Sequence, residues 1–137
     1  MKYLLMVLGT QADYEGMRGK ASAGSPGWTG EQLQAMYAHM GAINEDLART
    51  GEMIDAQGLA EPARTRFVTA GADGEPVVTD GPYPRTEVLL AGYWLLDCAD
   101  LDRATEIAAR VARCPGPEGL TEYPVVIRPV LDGAGDV

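Results

Sequence analysis

Histidine occurs once in this chain, at His39, and cysteine twice, at Cys98 and Cys114. A zinc site needs several such ligands at paired spacing, so no metal is expected. The two thiols, far apart in a chain without an export signal, are expected to stay reduced and structural. Basic residues are scarce as well: 11 Lys and Arg stand against 20 Asp and Glu, a formal charge of −9. A phosphate backbone is repelled by that balance, which argues against nucleic acid as a direct partner. Long apolar runs are missing too. Tyr3-Leu4-Leu5-Met6-Val7-Leu8 stops at Gly9, far short of the roughly 20 residues of a membrane span. It has no small-residue cleavage site and reads as a first strand, so a cytoplasmic protein with no membrane partner is expected. Nucleotide and nucleophile motifs fail by single residues. Gly19-Lys20 is followed by Ala21, with Tyr14 where a phosphate loop needs its first Gly, and Ala23 stands where a nucleophile elbow around Ser25 needs Gly. No cofactor is expected.

What is present suits one domain over residues 1–137. After the first strand, Gly9 to Trp28 is polar and Gly-rich without a sustained period, and reads as a long loop able to close over a site. Thr29 and Gln32 form a capping box for a helix on which Leu33, Met36, Tyr37, Met40, Ile43 and Leu47 recur at helical spacing, and Gly51 supplies a left-handed stop. Glu52 to Leu59 and Thr65 to Thr69 read as short strands joined by a turn around Glu61-Pro62; Asp73-Gly74 marks another turn, before a strand at Pro76-Val77-Val78. Val88 to Leu96 reads as a strand buried on both faces. Asp100 caps a second helix with Leu101, Ala104, Ile107, Ala108 and Val111 on one stripe, ended by Cys114-Pro115-Gly116-Pro117. Pro124 to Leu131 is a last strand whose prolines favour an edge.

This order is the split βαβ plan of a ferredoxin-like α+β domain with a β-hairpin inserted at its centre. Two helices cover one face of such a sheet. Since Tyr3 to Leu8 and Tyr93 to Leu96 are apolar on both faces, the uncovered side is expected to pack on a second copy in a homodimer.

The most distinctive stretch is Val78-Thr79-Asp80-Gly81-Pro82-Tyr83, followed further on by Gly92-Tyr93. With Gly51, Gly58-Leu59, Pro62, Cys114-Pro115 and Arg128-Pro129-Val130, it makes the chain resemble, from end to end, the DGPF branch of the YCII-related family. That resemblance implies a dimeric α+β barrel. It also implies cofactor-independent chemistry on a small organic molecule through a His-Asp pair in a cleft, or association with an extracytoplasmic-function sigma factor. Departures bear on both. Tyr83 replaces the Phe of the branch, Glu87-Val88 stand where Lys-Glu is usual, and Val126-Ile127 replace a frequent Glu-Val.

Asp80 has two readings. Asp before Gly-Pro bonds its own backbone in a turn, and the same turn can hold a carboxylate over the barrel mouth as an acid or base. His39, on the flank of the first helix, is either a half-exposed surface imidazole or the partner of Asp80. Tyr83, Tyr93 and Arg128 are ligand-binding candidates. The aromatics serve equally as core or interface residues, and Arg128 equally as a charge guarding an edge strand. The expectation carried forward is that Asp80 and His39 are catalytic, with a non-catalytic ligand-binding or regulatory module linked to a sigma factor as the alternative.

Overall fold

The computed structural model describes residues 1–80 and 88–131. Its elements run β1 (Lys2–Gly9), α1 (Gln11–Met17), α2 (Gly30–Thr50), β2 (Met53–Gly58), β3 (Arg66–Ala70), β4 (Pro76–Asp80), β5 (Leu89–Asp97), α3 (Leu101–Ala112) and β6 (Val126–Pro129). Four strands form one sheet in the order β2-β5-β1-β6. All three pairings within it are antiparallel. β1 and β2 are thus parallel but separated by β5, with α2 crossing between them, and α3 joins β5 to β6 across β1 in the same way. This is the ferredoxin-like arrangement expected from the element order. β6 lies at an edge, where Pro129 leaves no internal ladder bond unmade.

Local signals place the two long helices. Thr29 Oγ1 accepts the Gln32 N–H at 3.2 Å while Gln32 Oε1 accepts the Thr29 N–H at 2.8 Å, and Gly51 ends α2 at φ 78°. Asp100 caps α3 by accepting the Arg103 N–H at 2.9 Å. The core lies between the sheet and these helices. Tyr3, Leu5, Trp94 and Leu96 meet Ile43 and Leu47 of α2 and Ala104, Ile107 and Val111 of α3. Charge ties the elements together: Arg103 of α3 donates to both oxygens of Glu52, just before β2, at 2.9 and 2.8 Å, and Arg110 of α3 donates to Asp46 of α2 at 2.6 Å.

Three expectations change. The strand from Leu89 buries Gly92, Trp94 and Leu96 against the helices, but Tyr93 and Leu95 on its other face are only half-buried. Pro62–Arg64 is a short 3-10 turn, after which β3 pairs forward with β4 in a separate two-stranded sheet. The Gly-rich stretch between β1 and α2 is no plain loop, because it contains α1.

Candidate functional site

α1 exists because Thr10 caps it. Thr10 Oγ1 accepts the Asp13 N–H at 3.1 Å, and Asp13 Oδ2 accepts the Thr10 N–H at 3.0 Å. So short a helix does not persist alone, and tertiary bonds hold it. The Tyr14 hydroxyl lies 2.9 Å from the Leu59 carbonyl and 3.1 Å from that of Ala91, the residue bulged out of β5. Gln11 donates to Glu61 at 3.0 Å and accepts the Ala63 N–H at 2.9 Å, while Arg18 pairs with Glu61 at 2.8 Å. Behind α1 the chain returns so closely that a Cβ on Gly16 would stand 2.3 Å from the Pro26 carbonyl oxygen. Gly16 also accepts the Trp28 N–H at 2.9 Å. Only glycine permits that approach, and it seats the Trp28 indole.

Beneath α1 and Trp28 the sheet and helices part around a cavity of about 720 Å³, within the usual range for small-molecule sites. Its floor includes Gly9, Gly58 and Gly92, Gly58 being paired with Gly92. A Cβ on Gly58 would meet nothing within 4 Å, so its absence opens space. Met36 and Met40 of α2, Tyr14, Trp28 and Tyr123 form the walls, and exposed Tyr37 and Glu122 border the mouth. Trp94 donates its indole N–H to Asn44 Oδ1 at 2.7 Å and so fixes that side chain at the wall.

Two polar atoms stand out: Asp13 Oδ1 and Trp28 Nε1 are buried and have no hydrogen-bond partner among the described residues. Such atoms cost about 1–3 kcal/mol each when left unmet, and in native proteins they mark a ligand, an ion or water. The Tyr123 phenol is hydrogen-bonded with Asp13; burial first, then the charge of Asp13, pushes its pKa up. Burial also raises Tyr14, helped by Glu61, and raises the Cys114 thiol at the cavity wall.

The residues singled out in the sequence do not converge here. His39 donates its Nε2–H to the Arg110 carbonyl at 2.7 Å; since a carbonyl only accepts, that nitrogen carries the proton and joins α2 to α3. Asp80 ends β4 with its side chain 72% exposed and accepts from Arg66 Nε at 2.7 Å across the hairpin. Neither borders the cavity, and no contact joins them among the described residues. Tyr93 contributes to the floor, but strand alternation turns its ring to the helix-free face. There its hydroxyl donates to Asp55 at 2.8 Å, a bond that raises the phenol and lowers the carboxyl. Arg128 is exposed on β6, opposite Leu4. Tyr83, with Gly81 and Pro82, lies outside the described residues. Among the described residues no three His, Cys, Asp or Glu gather to hold a metal ion, and no helix is long and apolar enough to cross a membrane.

Asp13, Trp28 and Tyr123 escaped the reading of the sequence. A signal for the first was present, since Thr10-Gln11-Ala12-Asp13 has capping-box spacing. Nothing local marks Trp28 or Tyr123, which reach the cavity from opposite ends of the chain.

Comparison with known proteins bears on the whole of this architecture. An uncharacterised protein of Rhizobium meliloti (strain 1021) is 28% identical over 81 residues, which make up 59% of this chain and 64% of the relative. The match thus spans less than two thirds of that relative's length. The YCII-related domain matches residues 1–127, which include every strand and helix up to α3, the first half of β6, and all of the cavity lining. The chain belongs to the YCII-related family.

Proposed function

We propose that this protein binds a small, largely apolar organic molecule in the cavity beneath α1 and acts on it without a cofactor, with Asp13 as the acid or base. The observation that carries the reading is the Asp13 carboxylate beside a cavity of ligand size: its described partners, the Thr10 N–H and the Tyr123 hydroxyl, are neutral, and its Oδ1 is buried without a bond of its own. The carboxylate is held by its bond to the Thr10 N–H, so its free oxygen has a fixed direction. The Tyr123 phenol is hydrogen-bonded with Asp13, which links the carboxylate to a second proton-carrying group at the cavity wall. In this reading the role expected of Asp80 and His39 passes to Asp13. Asp80 is instead engaged with Arg66 in solvent, and His39 with a helix carbonyl. Membership of the DGPF branch belongs to the same proposal and rests on Thr79-Asp80-Gly81-Pro82-Tyr83.

The test is unbiased metabolite screening by thermal shift, followed by kinetics on the hit. Asp13→Asn keeps the cap and removes the charge; it should fold normally and lose turnover by about 10²-fold or more, while Asp80→Asn should stay within about threefold. Full turnover in Asp13→Asn would remove the assignment.

A second reading is a non-catalytic, ligand-binding regulatory module linked to an extracytoplasmic-function sigma factor. It is favoured by the cavity lining, which offers Asp13 no described Lys, Arg or His as a catalytic partner. Saturable ligand binding without any turnover would select it. In either case we place the protein as a cytoplasmic homodimer. Support comes from Leu4, Met6, Tyr93 and Leu95, which share the sheet face that carries no helix. Light scattering is the check, and a stable monomer at micromolar concentration would contradict it.

A further inference from the structure

We propose that the ligand of this cavity is an organic cation, an amine or quaternary ammonium on an apolar body; the proposal rests on the reading of the cavity as a ligand site. The first reason is the sign of the lining. Among the described residues that border the cavity, Asp13 and Glu122 are acidic and none is Lys, Arg or His. An anionic ligand would bring its charge toward a partly desolvated carboxylate with no compensating base, where repulsion is much stronger than in water.

Aromatic faces are the second reason. Tyr14, Trp28, Trp94 and Tyr123 border the cavity, with Tyr37 at its mouth, and the face of such a ring attracts an ammonium group within about 6 Å. Met36 and Met40 add polarizable surface that suits N-methyl groups without demanding hydrogen bonds.

Asp13 supplies the third reason: its described hydrogen-bond partners, the Thr10 N–H and the Tyr123 hydroxyl, are both neutral, its Oδ1 is buried without a bond of its own, and the carboxylate is matched by a positive group brought by the ligand. Glu122, exposed at the rim of the cavity, adds a second acidic group. The formal charge of −9 draws cations toward the molecule as a whole.

The experiment compares three probes of one shape by saturation-transfer NMR on the full chain. They are choline, its uncharged isostere 3,3-dimethylbutan-1-ol, and the anion 3,3-dimethylbutanoate. Choline should bind saturably with a Kd at least about tenfold below that of the alcohol, and the anion should not saturate. Asp13→Asn should bring choline and the alcohol to within about twofold of each other, through loss of choline affinity. The wild-type comparison decides by itself if that variant fails to fold. Equal binding of choline and alcohol, or tighter binding of the anion, overturns the cation assignment and leaves the cavity reading standing. No saturable binding by any of the three overturns both.

Discussion

The two ends of the covered sheet face are built from different residues although α2 spans both. At one end Leu5 and Leu96 are fully buried under Ile43 and Leu47 of α2 and Ala104 and Ile107 of α3, none of the six more than 4% exposed. At the other end the floor is Gly9, Gly58 and Gly92, and α2 presents Met36, Met40 and the largely exposed Tyr37. The first end is interlocked aliphatic packing, where every methylene has neighbours on all sides. Space at the second end is made by withdrawing side chains from the sheet, and it is bounded by rings that reach over from α1, Trp28 and Tyr123. Stability and the candidate site therefore occupy the same layer without competing for the same residues.

That division is sharpest under substitution. Ile43→Ala, at a residue 1% exposed in the packed end, should cost about 3 kcal/mol, whereas Met36→Ala at the open end should cost about 1 kcal/mol or less. Chemical denaturation measures both, and similar costs would erase the distinction between the ends. Gly16→Ala sets a Cβ 2.3 Å from the Pro26 carbonyl oxygen, a backbone atom with little freedom to withdraw. It should cost about 1–3 kcal/mol and loosen the seat of Trp28, seen as a red shift in tryptophan emission. Gly58→Val is the inverse case. Its Cβ has open space, so stability should change by about 1 kcal/mol or less while affinity for the screened ligand falls at least about tenfold. Retained affinity would mean the ligand sits elsewhere.

The smallest effect expected is pH-dependent and belongs to the packed end. Hydrogen bonds from Arg103, ahead of an opposing cost of burial, hold the Glu52 carboxyl below its ordinary value of 4.5. A depressed folded pKa gives stability that is fully present above the unfolded value and lost as pH falls through the folded one. Melting temperature should therefore drop as pH is lowered below about 4.5, and the drop should be shallower in Glu52→Gln. Identical acid profiles for the two proteins would show that the Glu52–Arg103 contact contributes nothing measurable.

Much of the fold was legible because its signals are local and periodic. The capping box at Thr29 and Gln32, the left-handed stop at Gly51 and the cap at Asp100 fall where the spacing put them. The edge position of β6 followed from its prolines. α1 was not legible as a helix in a Gly-rich stretch because its stability comes from Gln11, Tyr14 and Arg18 reaching residues far along the chain, contacts that no window contains. The site was less legible for a related reason. Asp80 and His39 drew attention by residue type and motif, yet a cavity is a property of what several distant segments leave empty, and glycines at 9, 58 and 92 announce no chemistry singly.

The most direct test is to map the amide and indole NMR signals that move when the screened ligand saturates the protein. The expected shifts are centred on Gly58, Gly92, Asp13 and the Trp28 indole, with the β3–β4 hairpin and His39 unmoved. Shifts concentrated at Asp80 and its hairpin neighbours, or at His39, with the Trp28 indole and Gly58 unperturbed, would contradict the placement of the site beneath α1.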